Sequence, residues 1–277
     1  MNQALNQRSN PVSSGNVRGF GRLAVLCVVF AGAAPHQLQA APFDEATEHY
    51  RRVMIADMDR ALAGAQVLRD RINANDVSGA RKAWIDARIG WERSEVFTSG
   101  FIPELDDAID AWPDAVAGFH GMEVKLFGGN PGHVGDEMYA LILHLTDADE
   151  RVRSMQLTPQ GLLNGVVRLA YEIGDSKVDG GESRLSGTSL DDMRNNADGI
   201  ELAYRTLFAS PLEASDPKLA ERVRDDINQL KALLKVQDLR GIDPDKLQKA
   251  SEALVVALQA AGPMLGLATP TLEGTAR

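Results

Sequence analysis

The stretch FDEATEHYRRVMIADMDRALAGAQVLRDRINA, residues 43–74, contains no proline and brings apolar residues round at three- and four-residue steps. That period belongs to a helix with one buried face. NDVSG (75–79) follows as a turn, and ARKAWIDARIGWERSEVFTS (80–99) repeats the pattern, so two long helices open the domain. Beyond the loop at Pro103 come a short acidic segment, ELDDAIDAWPD (104–114), and a helix predicted over Ala115–Phe127 from Val116, Phe119, Met122, Leu126 and Phe127. GGNPGH (128–133) breaks it, and DEMYALILHLTDADERVRSM (136–155) starts the next helix. TPQGLLNGVVRLAYEIGDSK opens with Thr158 as cap and Pro159 at the first helical position, and KVDGGESRLSGTS (177–189) reads as a long loop. Three further helices, starting near Ser189, Asp216 and Asp243, each begin with a Ser or Asp cap. With no alternating strand pattern and no short-period repeat, the expected fold is all-α: a helical bundle, or two packed bundles.

The first 40 residues stand apart from this. Arg8, Arg18 and Arg22 come with no acid, LAVLCVVFAGAA runs apolar for twelve residues, and small residues precede Pro42. These features predict a secretory signal peptide over residues 1–40, cleaved after Ala40, with a mature domain over 41–277. The apolar run is too short to serve as a membrane anchor. Cys27 is the single cysteine of the 277-residue chain, so neither a disulfide framework nor a thiolate metal site is available. Its context, AVLC, lacks the small residue a lipoprotein signal places before the cysteine, so the expected product is soluble.

Removing residues 1–40 takes three arginines and no acid from totals of 29 basic and 39 acidic side chains, leaving a net charge of −13. Nucleic acid is an unfavourable partner for such a chain, whereas cations are attracted to it.

His120 and Glu123 occupy one face of the predicted 115–127 helix, a spacing that lets a pair grip one ion. WERSE in the second helix gives Glu92 and Glu95 the same three-residue step. Facing helices that each offer two ligands are how bundle interiors hold ions. Asp106, Asp107 and Asp110 lie on the segment joining these helices, and Glu172 sits among apolar neighbours in LAYEIGD, an awkward place for an uncompensated charge. One imidazole with several carboxylates and no thiolate suits iron, manganese or calcium at least as well as zinc.

Competing motifs are weaker. A zinc peptidase needs HExxH or HxxEH, and Val124 stands where the second histidine of the inverted form belongs. DSKVDGGES has a calcium-loop look, but Lys177 replaces an oxygen ligand and Ser186 occupies the twelfth position. His49, His133 and His144 are read as surface or core histidines, though His133 is close enough in the chain to His120 to serve as a spare ligand.

GFHGMEVKLFG (118–128) resembles the GxHxxE signature of the imelysin-like proteins, a peptidase-classed family that includes the metal-binding domain of the EfeO/EfeM-type periplasmic iron-uptake proteins. The likeness extends to ARIGWERSEVF, LDDAID and the stretch from Tyr171 to Ile200, and covers roughly residues 43–262, so the cupredoxin-like domain that some relatives carry in front is not expected here. Gly181 stands where many relatives have an acid. The resemblance implies an all-α fold of two four-helix bundles and a metal site with His120 and Glu123 as signature ligands, Glu92 and Glu95 as second-helix acids, and Asp106 and Glu172 as further contributors. It also implies a periplasmic protein that binds a metal ion, iron foremost with zinc, calcium or manganese as alternatives, and passes it to an inner-membrane iron permease. Two other expectations are a metal-dependent peptidase and a surface binder of an acidic polysaccharide such as alginate, for which the net charge requires a bridging cation.

Overall fold

Helix α1 (Ala41–Asn73) runs into α2 (Val77–Phe101) through a tight turn in which the Asp76 carboxylate accepts from Gly79 N at 2.9 Å, capping α2. The computed structural model describes residues 41–110, 116–129 and 134–272. The apolar stripe of α1 (Tyr50, Met54, Met58, Ala61, Ala65, Leu68) is fully buried, as are Ala80, Trp84, Ala87 and Trp91 of α2, on which α1 packs. Two short helices follow, α3 (Pro103–Asp110) and α4 (Gly118–Gly128), and then α5 (Gly135–Ser154), which packs back on α1. α6 (Pro159–Gly174) begins as expected, with the Thr158 hydroxyl accepting from Gly161 N and Pro159 in the first turn. After a turn-rich loop, α7 (Ser189–Ala203) continues through a π-helical turn (Tyr204–Phe208) into α8 (Ala209–Ser215). α9 (Pro217–Leu233) and α10 (Pro244–Met264), capped by Asp216 and Asp243, complete the chain.

Among the described residues there is no strand. Helices α1 to α5 pack as one bundle and α6, α7, α9 and α10 as a second; α2 also packs on α6 and α7, so it is the wall the two share. Two glycines make that sharing feasible. A Cβ on Gly165 of α6 would stand 2.0 Å from the Val96 carbonyl oxygen, and one on Gly199 of α7 would stand 2.6 Å from the Arg93 carbonyl oxygen. Both helices therefore touch the α2 backbone directly.

Two boundaries differ from expectation. α4 starts at Gly118 rather than at residue 115, because Gly118 takes a φ of +66° and Val116 is 85% exposed, off the buried stripe. α7 is preceded by Thr188 without a side-chain cap; the Ser189 hydroxyl instead donates to the carbonyls of Gly180 and Glu182, tying the loop to the helix start. The expected signal segment 1–40 and His133 lie outside the described residues. No described helix is long and apolar enough to cross a membrane.

Candidate metal centre

α2 carries a stripe of charge through the middle of the fold. Arg88, Glu92 and Glu95, at steps of four and three, project from one face and are buried, between the two bundles that α2 separates. Such burial is tolerated only with partners close by. α3 supplies Asp106 and Asp110, α4 supplies His120 and Glu123, the loop before α7 supplies Lys177 and Glu182, and α7 supplies Asp192 and Asn196; all are buried.

His120 is the hinge of the arrangement. Its Nε2 lies 3.2 Å from Asp110 Oδ1 and 3.2 Å from Glu182 Oε1, while Nδ1 lies 3.5 Å from Glu123 Oε2. Glu123 is held in turn by Ser186, whose backbone N and hydroxyl both donate to its Oε1 at 2.7 Å. Trp91 Nε1 donates to Asp110 Oδ2 at 2.7 Å, which fixes the rotamer of that carboxylate. Asp110, His120 and Glu182 each offer a ligand atom within 4.8 Å of the others, and so do Glu92, Glu95 and Asp110, so Asp110 belongs to both groups.

Two cations stand among these acids. The Arg88 guanidinium donates to Asp110 at 2.6 Å, to both oxygens of Asp192 at 3.1 and 3.3 Å, and to Glu92. It is stacked over Trp84 and Phe119, its central carbon 5.2 and 5.5 Å from the ring centroids. The Lys177 ammonium contacts Glu92 at 3.0 Å and Glu95 and Glu182 at 3.3 Å. The Asn196 amide nitrogen donates to Glu92 Oε2 at 2.8 Å and also to Glu95; its Oδ1 is buried and accepts from no donor among the described residues.

Six carboxylates (Glu92, Glu95, Asp110, Glu123, Glu182, Asp192) thus face Arg88, Lys177 and one imidazole. This excess of negative charge is reflected in the proton affinities. Burial, reinforced by the Glu92 charge, pushes Glu95 well up, and Glu95 hydrogen-bonds Glu92. Burial also raises Asp192 to about 7 against the pull of Arg88. Glu182 is held well below the carboxylate range, since Lys177 and His120 outweigh its burial. Burial works to lower His120, but the surrounding carboxylates, Asp110 first, lift it to about 9. The centre therefore holds protons where a multivalent cation would supply the missing positive charge. The donor set, one imidazole nitrogen and several carboxylate oxygens drawn from three helices and a loop, fits such an ion.

Of the six residues the sequence points to, Glu92, Glu95, His120 and Glu123 converge here. Asp106 stands beside the centre, where its charge acts on Glu95, and it joins Glu172 through Arg168: Thr98 donates to Asp106 at 2.9 Å, Arg168 donates to Glu172 at 2.8 Å, and Arg168 lies 3.6 Å from Asp106. Burial, with the Glu172 charge, raises Asp106 to about 7. Asp110 and Glu182 complete the groups around His120. Asp110 is one helical turn beyond Asp106 in the same acidic segment, whereas Glu182 sits in a loop without periodicity to mark it.

The Imelysin family model (Peptidase M75) matches residues 46–117 and 114–262. The chain belongs to the imelysin family. Among imelysin relatives, an Efem/EfeO family lipoprotein of Staphylococcus haemolyticus is 29% identical over 204 residues, 69% of this chain and 70% of that one. The iron uptake system component EfeO of Escherichia coli K12 is 27% identical over 196 residues, 67% of this chain and 52% of that one. The EfeO of Yersinia pseudotuberculosis is similar to the same degree, 27% over 195 residues. The chain spans about half the length of these EfeO proteins. A crystal structure described as that of a candidate iron-regulated protein A precursor from Parabacteroides distasonis shares the fold, with a TM-score of 0.61 at 16% identity over 85% of this chain and 97% of that one.

Proposed function

We propose that this imelysin-family protein is an extracytoplasmic metal-binding component of an iron-uptake system, in which Asp110, His120, Glu182 and Glu123 take the ion and Glu92 and Glu95 flank it. The observation that carries this reading is the buried cluster of six carboxylates around one imidazole, with two protein cations to offset them. The printed names of the EfeO relatives support iron as the cargo. Export through residues 1–40 and transfer of the ion to an inner-membrane permease complete the proposal. Hydrolysis is less favoured, because a peptidase must admit a peptide bond to the metal and leave a coordination position open beside a base. Here every donor around His120 is at most 8% exposed.

Metal analysis of the purified mature protein, followed by titration with ferrous, ferric, zinc and calcium ions, tests this. Tight 1:1 or 2:1 binding of an iron ion that is lost in the His120→Ala, Glu123→Gln double variant is the expected result. Failure of every ion to bind, or metal-dependent cleavage of casein, overturns it.

A further inference from the structure

The two cations of the centre are held in different ways. Arg88 rises from the middle of α2, is 1% exposed, and is sandwiched against Trp84 and Phe119 while bonding three acids. It cannot leave without unstacking the aromatic core. Lys177 enters from the turn after α6, outside any helix, on a flexible four-carbon stem. Its contacts at the centre are ionic: Glu92 and Glu95 on α2, and Glu182 five residues along its own loop.

Those contacts fall on carboxylates a metal needs; on Glu182 the ammonium takes Oε2, while Oε1 faces His120. Glu92 and Glu95 belong to one group of convergent donors and Glu182 to the other, so the single ammonium bridges both. Any cation that takes one of these three oxygens at a bond length of about 2 Å stands within roughly 5.5 Å of Nζ. Two positive charges at that distance in a dry site repel strongly. An ammonium also uses up carboxylate lone pairs that a multivalent ion would otherwise claim.

Resting on the metal reading of this centre, we infer that Lys177 is a tethered competitor: its ammonium fills the carboxylate cage in the metal-free protein and is expelled when the ion enters. Lys177 then sets the affinity of the site. It keeps the acid cluster neutralised and folded while empty, and it lowers the hold on the ion so that release is feasible, because the protein's own cation returns as the metal departs.

The test compares the mature protein with its Lys177→Met variant, which keeps an unbranched side chain one atom shorter and removes the charge. Zinc and ferrous ions are titrated at one pH and one ionic strength. The variant is expected to bind about tenfold more tightly or better, on the scale at which residues around a metal act. Equal or weaker binding by the variant, with the parent binding normally, overturns the competitor role and leaves the metal site standing. If neither protein binds, the metal reading fails and this inference with it. A second measurement uses the unaltered protein and so does not depend on the variant's folding: reductive methylation of Lys177 followed by mass spectrometry. Lys177 is 4% exposed and should react slowly without metal, then faster once zinc saturates the site. An unchanged or slower rate with zinc bound overturns the inference.

Discussion

His120 Nε2 lies 3.2 Å from Oδ1 of Asp110, a residue ten positions earlier and on a different helix. That contact, more than the three-residue step to Glu123, fixes which nitrogen faces the acid cluster. Asp110→Asn keeps the shape of the side chain and an oxygen to accept from Trp91, but loses the charge shared by both donor groups. It should weaken metal binding by about tenfold or more. Asp106→Asn, whose carboxylate faces Thr98 and Arg168, should change binding much less. Isothermal titration of both variants decides, and an Asp106 effect equal to that of Asp110 would contradict the assignment.

Arg88 leads to a prediction about stability. Arg88→Met leaves Glu92, Asp110 and Asp192 without the guanidinium that all three share. Removing one member of a buried ionic network costs about 3–5 kcal/mol, so the metal-free variant should melt well below the parent. A bound cation would replace part of the lost charge, so added metal should raise the variant's melting temperature by more than the parent's. A variant as stable as the parent would mean that the acids are already neutral.

How much of this was legible beforehand depends on periodicity. The helices of the bundle follow from apolar spacing because each buries one face, and Thr158, Asp216 and Asp243 mark their starts as caps should. Glu92, Glu95, His120 and Glu123 were visible for the same reason, as paired donors at helical steps. Choosing between Asp106 and Asp110 required the direction in which the eight-residue α3 faces, which no local pattern states. Glu172 lies among apolar neighbours in the sequence, and the group that compensates it in the structure is Arg168, one turn earlier. Glu182 and Lys177 come from a turn-rich loop whose path is set by contacts with other elements, such as Ser186 to Glu123, so sequence spacing carries no information about them. Nothing in the local sequence marks Arg88; its role depends on the enclosure by Trp84 and Phe119.

The shared wall makes its own prediction. In Gly165→Ala the new methyl would sit 2.0 Å from the Val96 carbonyl oxygen, backbone that cannot swing aside, so α6 must move off α2. A loss of about 1–3 kcal/mol is expected. Gly135→Ala, at the start of α5 with nothing within 4 Å of the added atom, should be neutral or stabilising by about 0.4–1 kcal/mol. Thermal melts of the two variants make the comparison, and equal stabilities would argue against the close approach of α6 and α2.

The acid excess also fixes the response to pH. In the metal-free protein His120 is raised to about 9, so its stabilising contribution is complete below about 6.5, where the unfolded imidazole is also protonated, and is lost as pH climbs through 9. Asp106 and Asp192, raised to about 7, keep protons that the unfolded chain gives up near pH 4, so their effect on stability becomes more unfavourable between about pH 4 and 7. Glu92, Glu123 and Glu182 are lowered, and their contribution, present above about 4.5, disappears as pH falls through their folded values. These groups together make the metal-free fold most stable in mildly acidic solution and less so toward pH 9. Metal binding runs the other way, since the ion must displace the His120 proton, and affinity should rise by up to about tenfold per pH unit between 7 and 9 for that proton alone. The gap in melting temperature between metal-bound and metal-free protein should therefore widen steadily from pH 6 to 9, and His120→Gln should flatten its upper half. A gap that stays constant over that range would mean that His120 gives up no proton when the ion arrives, and so is not a ligand.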